Sequence, residues 1–422
     1  MAILSTPEGG TPEVIVDPSG LRLTIDAIAR GSGPIAIDAE RASGYRYSSR
    51  AYLIQLFRRG GGLHLIDPIP LQGSVEVSQL SQLIGEEESV IHASSQDLPC
   101  LREFGLHPKK LFDTELGARI AGFERVGLGP LCESLLGITL AKEHSAVDWS
   151  IRPLRKEWLD YAALDVALLV DIRDLVEASL IEQGKLEWSR AEFAAALTAP
   201  PPAPRRDPWR RTSGMHQIRS RFELAIIREL WVARDRIAAE LDVAPGRLLS
   251  DSVIVEFASR KPQTEVELQK LPIIKERIRN DVQRQHLKDW WQVLQRAYQS
   301  AEADWPEMRT RGDSLPPPRI WRARFPLAFA HLQHARKNLA EISARYNLPP
   351  ENLISPEILK RVTFDSGKER PFEERPSLHD EIRRTLESMG ARTWQIELAA
   401  PAIAHAMLEN EPPIEAEPAP AE

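Results

Sequence analysis

Along the first 200 residues, short apolar runs alternate with turn material and with stretches whose apolar positions recur every three to four residues. That is the pattern of an α/β domain. Ile35–Asp38, Tyr52–Phe57, Leu63–Ile66 and Val90–His92 have the length and composition of buried strands. Arg58–Gly62 is turn material between the second and third, and the third closes on Asp67-Pro68. From Leu154 to about Gly184 the pattern turns helical, with Leu159, Ala162, Ala163, Val166, Leu169 and Val170 along one face. Beyond the proline-rich stretch Ala199–Pro204 the periodicity is helical throughout, and it repeats. A shift of 105 residues lays Ala244–Asp251 on Pro349–Pro356, with Pro245 on Pro350, Leu248 on Leu353 and Ser250 on Ser355. Each copy is predicted to be a long helix (Phe222–Leu241 and Phe325–Tyr346), a short turn and a second helix, the mark of a duplicated module.

These patterns divide the 422 residues into an α/β domain at 1–198, a Pro/Arg-rich linker at 199–212, helical bundles at 213–296 and 316–408, and a disordered acidic tail at 409–422. The length favours several cores over one. A hydrophobic fraction of 42% excludes wholesale disorder. No run of apolar residues is long enough to span a bilayer, and the N-terminus lacks the pattern of a signal peptide. Cys100 and Cys132 have neither disulfide nor metal-site spacing, so they are expected to be buried thiols. A cytoplasmic protein without a membrane partner, and a monomer, is the expectation.

Charge changes the picture. The net charge of −7 hides a basic block: residues 201–350 hold 27 Lys+Arg against 18 Asp+Glu. The block opens with Arg205, Arg206, Arg210 and Arg211. Such asymmetry points to a polyanionic partner or to a solvated helical surface. The acidic first 200 residues suit a nucleic-acid protein only if their carboxylates hold cations.

Three short motifs supply those carboxylates. Asp38 and Glu40 end the first strand two residues apart, so they project to one side. His92–Asp97 follows the fourth strand through a turn of small residues. Tyr161 and Asp165, four apart, share a helix face. Singly, these read equally as an acidic loop edge, a helix N-cap and a buried ion pair. Together, four carboxylates at the margins of apolar elements suit two hard divalent cations, Mg²⁺ or Mn²⁺, that want oxygen ligands. Two such ions can stabilise both the attacking and the leaving oxygen of an in-line phosphoryl displacement. Tyr161 is then positioned to orient the attacking water. Asp113 is expected to cap a helix, and His331 and His334 to be a surface or partly buried pair rather than ligands. Among the ten tryptophans, Trp209 in the basic linker is the one singled out as a nucleic-acid contact.

The set resembles the DEDD exonucleases of the subclass with Tyr-x-x-x-Asp in the third motif, and within it the ribonuclease D family. Asp38-Ala39-Glu40 matches the first motif, followed by Ile54-Gln55-Leu56 and Leu65-Ile66-Asp67-Pro68. His92–Asp97 matches the second, then Phe112-Asp113-Thr114, Asp148–Leu154 and the third motif at Tyr161 and Asp165. The helical copies resemble HRDC, the nucleic-acid-binding domain shared by RecQ-type helicases and ribonuclease D. The resemblance implies a ribonuclease-H-like α/β exonuclease domain followed by two all-α HRDC-like domains, the second divergent. It implies 3′→5′ hydrolysis of RNA to nucleoside 5′-monophosphates, in 3′-end processing of tRNA precursors and other small RNAs. Metal ligation falls to Asp38, Glu40, Asp97 and Asp165, and nucleic-acid contacts to Arg41, Gln55, His92, Arg152, Arg210 and Arg211. The family often has an aromatic residue where this chain has Arg41, which leaves base stacking to another residue such as Tyr45 or Tyr47. A DNA exonuclease and a non-catalytic RNA-binding protein are the competing readings. Removing residues 205–422 is expected to weaken RNA capture and leave slow cleavage.

Overall fold

The computed structural model of the protein describes residues 2–141, 146–201, 203–309, 315–366 and 378–408. The expected disordered tail at 409–422 lies outside the described residues, as does part of the second helical segment.

Among the described residues there are eight strands: β1 (Ala2–Leu4), β2 (Val14–Ile15), β3 (Ser32–Arg41), β4 (Ala51–Arg59), β5 (Gly62–Ile66), β6 (Glu88–Ile91), β7 (Lys110–Asp113) and β8 (Ile138–Leu140). Six form one sheet in the order β2-β5-β4-β3-β6-β7, and β1 pairs with β8 apart from it. The β3–β4–β5 meander is antiparallel, whereas β6 and β7 add on parallel. The four apolar runs read from sequence are β3 to β6. The edge strands β2 and β7 and the β1–β8 pair go unread in the sequence; β1, β2 and β8 have only two or three residues each, too few for a periodicity to register.

Helices α1 (Pro18–Arg30), α2 (Val75–Glu86), α3 (Leu98–Phe104), α4 (Thr114–Ala121) and α5 (Leu128–Leu131) precede α6 (Lys156–Ala167), α7 (Leu169–Glu182) and α8 (Leu186–Thr198). The apolar stretch 154–184 holds two helices, with the break at Leu168. The register of β3 on β4 sorts the sheet faces. Ile37 opposes Leu56 and Ala39 opposes Ile54 on one face; Asp38 opposes Gln55 and Glu40 opposes Leu53 on the other. The first face packs into the main apolar core. Over the second lies α6, whose Ala162 and Ala163 cluster with Leu53, Leu65, Trp149 and Trp158.

The C-terminal half is helical. Helix α9 (Arg221–Leu241) opens with a capping box of Ser220 and Glu223, and is followed by α10 (Pro245–Leu248) and α11 (Asp251–Arg260). The second copy repeats this as Pro326–Arg345, Pro350–Leu353 and Pro356–Ser366. Even the corner is shared: Asp242 and Asn347, equivalent in the 105-residue shift, both have positive φ (47° and 44°).

The two copies sit differently. The first has its own core, with Trp209 and Trp290 inside it. The second joins the main core, which runs continuously from the sheet into residues such as Trp321, Leu332 and Ile403. Trp188 of α8 stacks on Trp394 with ring centroids 5.0 Å apart, and Glu192 accepts from the Trp394 Nε1 at 3.1 Å and pairs with Arg392 at 3.3 Å. Lys185 Nζ donates to the carbonyls of Ile120 (2.8 Å) and Asn347 (3.2 Å). His331 and His334 are both buried, so neither is a surface residue. Burial and the neighbouring His334 push the His331 pKa down to about 4.

Candidate active site

The C-terminal end of β3, where it runs out past β6, is the floor of a pocket of about 1060 Å³. Asp38 and Glu40 reach it from β3 because residues two apart on a strand share a face. Asp165 reaches it from α6, which crosses that face. Carboxylate oxygens of Asp38, Glu40 and Asp165 all lie within 4.8 Å of one another. Tyr161, one helical turn before Asp165, is hydrogen-bonded to it and lines the same pocket.

Asp97 arrives by another route. It is the N-cap residue of α3, but its side chain makes no capping hydrogen bond; its carboxylate lines the pocket beside Asp38. The capping role belongs to Asp113 instead. That carboxylate accepts from Leu116 N of α4 (3.0 Å) and from Ala93 N (3.2 Å) and Ser94 N (2.8 Å) of the turn leading to Asp97. Asp113 thus ties β7 to the loop that aims Asp97. Ala93 itself has φ 56°, a left-handed conformation that this tie holds in place.

The electrostatics are those of crowded acids, with Glu40 and Asp97 buried and Asp38 and Asp165 partly so. Burial is the first cause raising Asp38, to about 6, and it pushes Glu40 and Asp97 well above the ordinary carboxylate range. Neighbouring carboxylates add to the rise at Glu40 and Asp97, and Arg41 opposes it. Burial, then Asp165 and Glu40, push the Tyr161 phenol far above its usual range, so this hydroxyl stays protonated. Six carboxylates (Asp38, Glu40, Asp97, Glu157, Asp160, Asp165) line the pocket against one arginine, Arg41, among the described residues. Ionised together, these carboxylates would repel one another and any anion, and a divalent cation on this floor would offset that repulsion.

The nucleic-acid contacts expected from sequence fare unevenly. Arg41 lines the pocket, with Nη2 3.9 Å from Asp97 and 3.3 Å from Gln96 Oε1. His92 lines it too, its Nδ1 2.9 Å from Thr114 Oγ1 and its pKa lowered by burial. Gln55 does not: it is wholly buried beneath α6, outside the pocket lining, so it is inaccessible to a substrate. Arg152 is also spent internally. Its guanidinium donates to Asp67 Oδ2 (2.5 Å) and to the carbonyls of Trp149 (2.8 Å), Ile151 (2.9 Å) and Tyr52 (2.8 Å). Trp209 is 4% exposed and belongs to the core of the first helical domain, which removes it as a stacking residue. Arg210 lies over Trp209 at 4.3 Å and donates to Asp207 and to the Glu307 carbonyl, while Arg211 is exposed. Cys100 and Cys132 are buried thiols pushed up to about 12, as their spacing predicts.

Sequence reasoning missed Ser5, Thr6 and Gly127–Pro130, which also line the pocket. They carry no charged motif, and the β1–β8 pairing that brings the N-terminal residues near Leu140 joins segments more than a hundred residues apart.

Comparison with known proteins shows what this chain is similar to. The 3′-5′ exonuclease family matches residues 12–181, the HRDC domain residues 223–294, and a 3′ to 5′ exonuclease C-terminal domain residues 314–407. Ribonuclease D of Acidiphilium cryptum is 32% identical over 238 residues, covering 54% of this chain and 58% of that protein. Ribonuclease D of Gluconacetobacter diazotrophicus is 32% identical over 235 residues, with the same coverage. The matched region thus spans little more than half of these relatives' length. Among solved structures, a protein from Bifidobacterium adolescentis has a TM-score of 0.87 at 35% identity, covering 96% of this chain and 99% of that one. Escherichia coli RNase D, described as an exoribonuclease involved in structured RNA processing, has a TM-score of 0.64 at 25% identity, covering 95% and 99%.

Proposed function

On the premise that the chain is a relative of ribonuclease D by sequence and by fold, we propose that it is a 3′→5′ exoribonuclease releasing nucleoside 5′-monophosphates. The observation that carries this reading is the convergence of Asp38, Glu40 and Asp165 oxygens within 4.8 Å, with Asp97 and the Tyr161 hydroxyl beside them, on the floor of an acidic pocket. Such a donor set is all oxygen and is raised in pKa by burial and crowding, which fits hard divalent cations. Asp38, Glu40, Asp97 and Asp165 would hold two Mg²⁺ or Mn²⁺ ions, which when bound supply charge stabilisation to an in-line displacement at phosphorus. The Tyr161 phenol, kept neutral by its surroundings, holds and aims the attacking water rather than taking its proton. Arg41 and His92 reach the scissile end of the chain from the pocket wall. The domain division follows from sequence: an exonuclease domain over 1–198, a linker at 199–212, and helical domains over 213–296 and 316–408. The exposed linker arginines, Arg205, Arg206 and Arg211, supply salt-sensitive capture of single-stranded 3′ ends, with tRNA precursors as the substrate class.

The test is product analysis on 5′-labelled single-stranded RNA beside a matched DNA, with Mg²⁺, Mn²⁺ or chelator, for wild type and Asp165→Asn. A metal-dependent ladder shortening from the 3′ end on RNA, lost in the variant, is expected. Equal laddering on DNA would replace the RNA assignment, and RNA retention without cleavage would make the protein a binder.

A further inference from the structure

A second pocket, of about 360 Å³, lies beside the acidic one, and Arg46, Arg50, Arg152, Asp67 and Ser150 give it its polar lining. The two pockets share a wall. Gly44 and Tyr45 line the first and Arg46 the second; across from them Ala146 and Val147 line the first and Ser150 the second. Two cross-ties hold this wall together: the Tyr45 phenol donates to Ala146 O at 3.3 Å, and Arg46 Nε donates to Ser150 Oγ at 2.8 Å.

Their charges are opposite. Among the described lining residues the first has six carboxylates and one arginine, the second three arginines and one carboxylate. Asp67 and Arg152 are taken up with each other at 2.5 Å and with backbone groups, which leaves Arg46 and Arg50 as the available cations. Arg46 is set by a relay. Ser150 Oγ donates to Asp148 Oδ1 at 2.5 Å while accepting from Arg46 Nε, and among the described residues nothing takes the two Arg46 Nη groups. Arg50 is set from the first helical domain. Its Nε donates to the Tyr52 hydroxyl at 3.2 Å, and its Nη2 is 3.5 Å from Asp242, which also accepts from that hydroxyl at 3.3 Å. Asp242 does not line the pocket, so it orients Arg50 from outside.

We propose that this second pocket binds one backbone phosphate of the RNA strand, upstream of the scissile linkage, clasped by Arg46 and Arg50. The proposal rests on the exonuclease reading above and deepens it. Each guanidinium presents a planar fork of N–H donors that matches phosphate oxygens. An anion in this pocket needs no metal ion, unlike one on the acidic floor. The wall between the pockets is crossed between neighbouring residues, Tyr45 and Arg46, about 3.8 Å apart at Cα, so a strand with its 3′ end in the first pocket passes directly over the second. Ile69, Pro70 and the buried Tyr52 complete the lining and suit the carbon face of a sugar. A grip on phosphate positions the strand and carries no sequence choice. The first helical domain thus contributes to substrate binding through a carboxylate, Asp242, that orients an arginine of the exonuclease domain.

The test walks a single neutral methylphosphonate linkage back from the 3′ end of a 5′-labelled single-stranded RNA. Affinity is read by fluorescence anisotropy with Ca²⁺ as the divalent ion. The full-length wild type is compared with two double variants, Arg46→Gln with Arg50→Gln and Arg46→Lys with Arg50→Lys. In the wild type one linkage upstream of the last should stand out, its neutralisation weakening binding about tenfold. The first double variant should bind the unmodified strand about tenfold more weakly and show no such upstream linkage, while the last linkage stays sensitive. Its slope of log affinity against log salt should be shallower by about 0.7, the value for one phosphate contact on a single strand. The second double variant, which keeps both charges, should keep the slope and lose only part of the affinity. In turnover with Mg²⁺, kcat/KM on the long strand relative to a dinucleotide, whose one phosphate is the scissile one, should fall about tenfold in the first double variant. A wild-type profile with no sensitive upstream linkage would overturn the proposal, as would the same profile in wild type and first double variant. Calorimetric titration with adenosine 5′-monophosphate supplies the other arm: binding lost in the first double variant, with an unchanged RNA profile, would give the pocket to a free nucleotide instead. If the wild type shortens no RNA, the exonuclease reading fails, while the upstream profile still decides the fate of the second pocket.

Discussion

Replacing Asp38 with Asn should make the metal-free protein more stable while abolishing cleavage. Asp38 sits among three other carboxylates, and burial raises its pKa to about 6 from the ordinary 3.8. Each pH unit of such a rise corresponds to about 1.4 kcal/mol, so ionising Asp38 at pH 7.5 costs the folded chain about 3 kcal/mol. The sign follows from proton linkage. Between the two values the folded state holds a proton that the unfolded state has lost, so stability falls as pH rises through this window. At pH 4.5 only about 1 kcal/mol of the penalty remains. Asn keeps the shape, carries no charge and can donate to Asp97. Taking about 2–4 °C per kcal/mol for a domain of this size, the variant should melt about 6–12 °C above wild type in EDTA at pH 7.5. That advantage should shrink to a few degrees at pH 4.5. Adding Mg²⁺ at pH 7.5 should raise the wild-type melting temperature more than the variant's, since cations relieve the same repulsion. Calorimetric melts in EDTA and in Mg²⁺ at both pH values make the measurement. A variant less stable than wild type in EDTA at pH 7.5, or an advantage independent of pH, would refute the reasoning.

The other predictions concern residues whose roles the structure separates. Tyr161→Phe should keep the fold and KM but lower kcat by roughly a hundredfold, as expected for loss of a group that aims the water; single-turnover kinetics on labelled RNA checks this. Arg152→Ala should cost roughly 2–3 kcal/mol of stability in urea titration, because Asp67 and the carbonyls of Tyr52 and Trp149 lose their donors, with RNA affinity of the folded protein unchanged. Asp113→Ala should cost about 2–3 kcal/mol through its orphaned backbone N–H groups, and should slow cleavage with Asp97 no longer aimed. Trp394→Ala should lower the melting temperature of the exonuclease domain itself, by about 3–5 kcal/mol of stability, since its ring stacks on Trp188.

The carboxylates were legible because their chemistry is encoded locally. Two apart on a strand and four apart on a helix each fix a shared face, whatever the rest of the chain does. The strands of the meander were legible for the same reason. What sequence could not disclose is whose donors are already spent. Arg152 reads as a free cation until Asp67, 85 positions away, accepts from it at 2.5 Å. Gln55 follows the pattern of a substrate contact, yet β4 is a central strand and α6 closes over it, leaving its amide wholly buried. Trp209, flanked by arginines, looks like a surface ring; the first helical core folds over it and Arg210 covers it from outside. In each case the deciding neighbour lies far along the chain.

The same holds for the helical copies, and here the consequence reaches function. Read as modules on a linker, they look removable, so their deletion is expected to leave slow cleavage. The structure argues otherwise. Asp242 and Asn347 occupy the same left-handed corner of each copy, and each corner is a docking point: Asp242 accepts from Ser48 N, and the Asn347 carbonyl accepts from Lys185. One corner thus braces the loop beside the pocket, and the other braces α8 behind the sheet. The second copy also lends its apolar faces to the main core. Cutting the chain after residue 204 would expose that core and release the Gly44–Ser48 loop next to Glu40. The two helical segments thus supply two braces for the N-terminal α/β domain, so the loss on truncation should appear first as instability and only then as weaker RNA capture.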